Sequence, residues 1–234
     1  MKKYVCFLVL LLPLQLLSQN NFMAISFGGN FPLQDFAKYS NLTHNGFATN
    51  GFNGDYSGGF FRTKNLGIGG NIRYASNSID DNALYELLLN ELIEDFDLEN
   101  NPSYFSGFWK YVSLLAGPEY TIPRERANID FYTLAGINFV LPPEMSIYAE
   151  TPDDYYNRNL KVRAVNLGFE AGCALRYHIN EYTSIRIHAS WFISTCKGDI
   201  IKERGLENER TTEKTGYSCL ISTLNAGIGV AYRL

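Results

Sequence analysis

The chain has 234 residues, with 20 Lys and Arg against 24 Asp and Glu and a formal net charge of −4. An acidic chain without a basic patch excludes nucleic acid as a partner, and the length suits one domain. The cysteines, Cys6, Cys173, Cys196 and Cys219, are too few for a disulfide scaffold and lack zinc-ligand spacing, so neither a metal nor a cofactor is expected.

The first segment, MKKYVCFLVLLLPLQLLSQ, has a charged start at Lys2 and Lys3, an apolar run to Leu17 and a small residue at Ser18. That is the plan of a cleaved secretory signal peptide, residues 1–18, followed by one domain, 19–234. Cys6 precedes most of the apolar run, which excludes a lipoprotein. No later run reaches the ~18 apolar residues of a membrane helix, so a membrane would have to be crossed by strands.

Segments of period two then recur. They run from Phe22 to Asn30, Asp55 to Thr63, Leu66 to Asn77, Phe108 to Thr121, Ile129 to Val140, Val162 to His178, Thr183 to Cys196, and Tyr217 to Leu234. Three links are short, around Lys64-Asn65, IPRERAN and INEY. The others are long: Phe31 to Gly54, Ser78 to Gly107, Leu141 to Lys161, and Lys197 to Tyr217. Short turns on one side and long loops on the other predict an all-β fold, an eight-stranded antiparallel up-and-down transmembrane barrel. Both chain ends are then expected on the periplasmic, short-turn side.

The two faces of each strand carry different chemistry. In the sixth segment Val165, Leu167, Phe169, Cys173 and Leu175 alternate with Asn166, Gly168, Glu170, Gly172 and Arg176. In the seventh, Ile185, Ile187, Trp191 and Ile193 alternate with Arg186, His188, Ser190 and Ser194. A soluble barrel would turn its apolar stripe inward and dress the other in Lys, Glu and Thr. Here the polar stripe is Gly, Asn, Ser and Arg, which suits the narrow interior of an eight-stranded barrel. The apolar stripe is assigned to lipid, where no backbone group can be left unpaired and strands must close.

The stretches AISFGGNFPLQDFA, SLLAGPEYT, FYTLAGINF and AGIGVAYRL resemble the small outer-membrane β-barrel proteins of Gram-negative bacteria. The style of sequence is PorT-like and the implied shape OmpA/OmpX-like, over essentially the whole mature chain. The resemblance implies an outer-membrane location with lipid as surroundings. It also implies, as one role, an accessory of a secretion or gliding apparatus.

Within the second long loop, Leu84, Leu88, Leu92 and Phe96, with Tyr85, Leu89 and Ile93, form a helical apolar stripe that Asp80 or Asp81 can cap. It predicts a helix that is either a lid over the barrel mouth or a dock for another envelope or surface protein. His188 and Ser190 share one strand face. Lipid A deacylases of the outer membrane also carry a His-x-Ser pair, which would act as base and nucleophile given an acid to orient the His. Parity points both residues inward and no carboxylate is evident as the third member, so a hydrogen-bonded filler is preferred and no enzyme is expected. The pairs Asp80-Asp81 and Asp153-Asp154 match no EF-hand spacing. Tyr148, Tyr155 and Tyr156 suit a ligand or an interfacial girdle equally.

Register supplies two further expectations. If Thr183 faces Tyr232, Cys196 faces Cys219 near the outer rim on the inward phase, a candidate disulfide in an oxidising compartment. Around IPRERAN, Glu119 should face Asp130, beside Arg176, Arg186 and Arg233, as a charge cluster in the periplasmic half of the lumen. Arg73 and Glu170 should form a tier above it. Arg suits such a plug because its fork binds two carboxylate oxygens. The function expected is non-enzymatic: a structural or interaction scaffold that presents four surface loops on a charge-plugged barrel. A small-solute pore is the competitor, and oligomeric state is not encoded.

Overall fold

A computed structural model describes residues 20–95, 103–105, 107–143, 146–150, 154–162, 164–206 and 209–234. The expected leader and Asp153 lie outside these residues. The strands are β1 (Phe22–Pro32), β2 (Ala48–Phe61), β3 (Leu66–Ile79), β4 (Ser103–Phe105), β5 (Trp109–Pro123) and β6 (Ala127–Leu141). They continue with β7 (Ser146–Glu150), β8 (Asp154–Val162), β9 (Val165–His178), β10 (Thr183–Leu206) and β11 (Glu209–Arg233). One α-helix, α1, spans Asp81–Asp95 in the second long loop. Asp80 caps it, its Oδ1 accepting from the Ala83 N–H at 3.2 Å.

Eight strands, β1-β2-β3-β5-β6-β9-β10-β11, pair antiparallel in that order, and β11 returns to β1. This is the expected up-and-down transmembrane barrel. No described helix is long and apolar enough to cross a membrane; the crossing is made by strands. The seam between first and last strand is tight. A Cβ at Gly28 would stand 2.0 Å from the Ala226 carbonyl oxygen, so Gly28 faces Gly227 because neither position has room for a side chain.

The long-loop side departs from the sequence reading. The second strand begins at Ala48, not Asp55. The fourth long link is largely strand, since β10 continues to Leu206 and β11 starts at Glu209. The third link carries β7 and β8, and Val162 ends β8 instead of opening the sixth ring strand. β10 pairs with β9 up to Ser194–Gly168 and with β8 from Gly198–Val162 onward. The wall therefore continues beyond the ring as a platform, β11-β10-β8-β7-β4.

A change of solvent explains why this was hidden. Along the lower part of β10 the inward side chains are Arg186, His188 and Ser190, while Ile185, Ile187 and Trp191 face out. Above Phe192 the assignment reverses: Phe192, Cys196 and Ile200 are buried, and Thr195, Lys197 and Asp199 are exposed. The strand keeps its period of two while its surroundings change from hydrocarbon to water. In water the apolar side must turn in; in lipid it must turn out. Aromatic side chains mark the short-turn edge of the lipid band, where Tyr182 and Tyr232 stack with ring centroids 6.1 Å apart.

Candidate functional site

The lumen holds the charged residues in two levels. In the middle level Arg73 on β3 donates from Nε to Asp55 Oδ1 at 2.6 Å and from Nη2 to Glu170 Oε1 at 2.8 Å. Its Nη2 also reaches Ser190 Oγ at 3.3 Å. Asn71 donates to Asp55 Oδ1 at 3.1 Å and to Glu170 Oε2 at 3.3 Å. Arg73, Asp55 and Glu170 are each almost fully buried. Arg73 and Glu170 were expected as a pair. Asp55 was missed, because the doublet Phe60-Phe61 blurred the phase of its strand. Its signal is the run Asn53, Asp55 and Ser57, all buried at alternate positions.

In the lower level Arg176 grips Asp130 with two bonds, Nε to Oδ2 at 2.6 Å and Nη2 to Oδ1 at 2.8 Å. Thr121 Oγ1 donates to the same carboxylate at 2.7 Å, and the Phe22 ring lies 3.8 Å under the guanidinium carbon. Arg186 stands across from Arg176 on the neighbouring strand, also buried.

Two expectations about this level need correction. Glu119 faces Tyr132, and Asp130 faces Thr121. The β5–β6 turn is tighter than the segment IPRERAN suggested, with the Arg124 N–H bonding the Ala127 carbonyl at 2.8 Å, so both strands run further and the register slides by two. Glu119 instead lies over two glycines, its Oε2 2.5 Å from where a Cβ at Gly69 would sit and 2.8 Å from one at Gly59. Arg233 does not join the cluster. It stands half-buried at the short-turn mouth, with no ion pair among the described residues.

Phe22, Asn71, Glu119, Tyr132 and Arg186 line a cavity of about 10 Å³, roughly the space of one water.

His188 and Ser190 both project into this lumen, 3% and 2% exposed. His188 Nε2 is 3.5 Å from Asp55 Oδ2, while Ser190 is engaged by Arg73. No bond joins His188 to Ser190 among the described residues. Ser190 thus lies behind the barrel wall, away from the lipid-facing side.

The upper lumen is apolar. The Tyr111 and Phe192 rings stack at 5.6 Å, and the Tyr111 hydroxyl accepts from Asn30 Nδ2 at 2.6 Å. Trp109 donates from Nε1 to the Gly46 carbonyl at 2.7 Å and meets the Phe36 ring at 5.5 Å, which draws the first long loop inward. Leu84 and Leu88 of α1 are fully buried in the same cluster. Burial of each contributes about 1.5–3 kcal/mol. The helix is thus packed over the mouth; the side chain of Leu92 and the whole of Phe96 lie outside the described residues. Tyr156 is buried, so it is part of the platform interior, while Tyr148 is exposed.

A charged clamp holds the helix from its other side. Lys202 and Arg158 face each other across β10 and β8, and Glu91 of α1 pairs with both, with 3.3 Å to Arg158 Nε. Burial pushes the Arg158 pKa down from the ordinary guanidinium value, and the Glu91 carboxylate opposes that shift.

Cys196 and Cys219 are directly opposite in the β10–β11 ladder, as the register argument expected, and both are buried free thiols.

No protein-family model matches the sequence, and no curated protein sequence matches it significantly. Solved structures do resemble it. The outer membrane protein OprG from Pseudomonas aeruginosa superposes with a TM-score of 0.56 at 10% identity, covering 93% of this chain and 98% of that one. The attachment invasion locus protein Ail of Yersinia pestis covers 92% of this chain and 99% of its own at 14% identity, with a TM-score of 0.38. The likeness to OprG establishes a shared fold.

Proposed function

We propose that this chain is an outer-membrane barrel of the PorT-like kind that conducts no solute and works as a stand for a surface platform. The leader of residues 1–18 is removed on export, the short turns and both chain ends lie in the periplasm, and the long-loop platform faces outward. The observation that carries the reading is the double closure of the lumen. The lower half is filled by paired charges around Arg73 and Arg176. The upper half is filled by Trp109, Tyr111, Phe192 and the Leu84–Leu88 face of α1.

A barrel spends this much order on its interior when the wall must hold its shape, and the surface it holds is the sheet of β10, β11, β8, β7 and β4. The partner class is another envelope or surface protein met by that platform, with outer-membrane lipid around the wall. An accessory role in a secretion or gliding apparatus fits this geometry. Lipid-modifying chemistry does not, because Ser190 is spoken for by Arg73.

The test is electrical. Purified barrel inserted into planar bilayers should give no stable open-channel current. A steady, voltage-independent conductance from the wild-type chain would overturn the closed-lumen reading, and recovery as a soluble periplasmic monomer would overturn the membrane reading with it.

A further inference from the structure

The short-turn mouth below the plug is built unlike the rest of the lumen. A recess of about 190 Å³ opens there, lined by donor groups from two hairpin bases and the end of the last strand: Arg124, Asn128, Arg176, His178, Ser184 and Arg233. Arg176 forms its floor and is already neutralised by Asp130. Arg124 and Arg233 are different. Among the described residues neither guanidinium has an ion-pair partner, Arg124 being exposed on its turn and Arg233 half-buried. Asn128 is 4% exposed, yet its amide makes no side-chain hydrogen bond among the described residues. His178 is held by Ser184, Nδ1 to Oγ at 2.8 Å. When the Ser184 hydroxyl donates to Nδ1, the neutral ring carries its proton on Nε2, where it can serve the recess as a donor. Glu125 is the single carboxylate on its rim.

Asn128 turns its amide to the recess, and a recess supplied almost entirely with donors has the complement of an oxyanion. We propose that this mouth is a binding site for a phosphate group, with Arg124 and Arg233 as the paired cations, Asn128 and His178 as neutral donors, and the Arg176–Asp130 pair as the floor. Phosphate suits the set because its tetrahedral oxygens accept several hydrogen bonds at once, and guanidinium forks bind it two oxygens at a time. The volume admits one phosphate with a small substituent and excludes a nucleotide or an oligosaccharide. Two sources share this chemistry: inorganic phosphate from the periplasm, and the headgroup of a phospholipid in the inner leaflet. The site does not depend on whether the lumen above it conducts.

The wild-type barrel, refolded in maltoside micelles that carry no phosphate, is observed by NMR at the His178 ring and the Ser184 amide. Inorganic phosphate is titrated in at constant ionic strength, with sulfate-free chloride as control. We expect saturable shifts at both positions, and an affinity at least tenfold weaker in the Arg233→Gln variant, which keeps a polar side chain and removes the charge. A second arm adds phosphatidylglycerol to the same phosphate-free maltoside micelles, with no inorganic phosphate present. Shifts that appear only with phosphatidylglycerol assign the site to a headgroup; shifts with inorganic phosphate in micelles assign it to the free anion. No saturable shift in either arm, or shifts unchanged by both Arg233→Gln and Asn128→Ala in folded barrels, would overturn the proposal. Heat-modifiable gel migration of each variant reports that the barrel has folded and keeps a failed fold distinct from a failed site.

Discussion

The lower and upper halves of the lumen are filled by opposite chemistries on the same strands. Below, where the wall is surrounded by lipid, the inside is Arg73, Asp55, Glu170, Arg176 and Asp130, each charge answered by another. Above, where the wall stands in water, the inside is Trp109, Tyr111, Phe192, Ile200 and the leucines of α1. The lower half resembles a membrane protein, and the upper half a soluble one built on top of it. The difference teaches that burial here follows what lies outside the wall. A strand offers two faces, and lipid claims the apolar one until the strand leaves the bilayer.

The largest effect should come from stranding a charge below. Arg176→Ala leaves the Asp130 carboxylate buried without its guanidinium, and the expected loss is about 3–5 kcal/mol, read from urea unfolding in bilayers or micelles. An Arg176→Ala barrel of unchanged stability would mean that the lower half is wet and that the contrast between halves is false.

Above, the corresponding test is a cavity. Phe192→Ala removes the ring stacked on Tyr111, with an expected loss of about 3–4 kcal/mol, and it should act on the platform as well as the ring because β10 belongs to both. Leu88→Ala should cost about 2–3 kcal/mol. We expect its effect as faster hydrogen exchange in α1 and the first long loop, with heat-modifiable migration unchanged. If exchange in the lower strands rose equally, the two halves would be one cooperative unit. The smallest effect belongs to the clamp. Glu91→Gln leaves Lys202 and Arg158 facing each other without their carboxylate, and an expected loss of about 1 kcal/mol or less should appear as quicker protease nicking of the helix. Protection equal to wild type would show that the leucines alone hold α1.

Much of the lower half was legible in the sequence because its chemistry is unusual. Arg and Glu on a face otherwise made of Gly, Asn and Ser point into a narrow lumen, where Arg73 meets Glu170, and nearer the outer rim counting along one antiparallel ladder sets Cys196 opposite Cys219. Glu119 was misplaced by two residues, because IPRERAN does not say which four of its residues turn, and a shift of two keeps every side chain on its proper face. The platform was not legible for a deeper reason. From Lys197 to Tyr217 the sequence reads as a polar loop, since Lys197, Asp199, Lys202 and Glu203 look like solvated residues. Lys197 and Asp199 are solvated, on the outer face of a strand whose inner face carries Cys196 and Ile200, while Lys202 lies on that inner face and pairs with Glu91. Arg158 was hidden as well, as its surroundings come from a strand and a helix that pattern alone does not bring together.

One strand passes without a break from the bilayer to the platform. β10 has 24 residues, roughly 80 Å of extended chain at ~3.3 Å per residue, and it exchanges β9 for β8 as its neighbour partway along. A tug on the tip of the β10–β11 hairpin therefore meets no hinge on the way down. The load runs along the strand axis and is shared as shear by the hydrogen bonds of β10 to β9 and of β11 to β1, which must fail together instead of one after another. The wall and the platform form a single lever seated in the membrane, and whatever pulls on its far end pulls on the barrel.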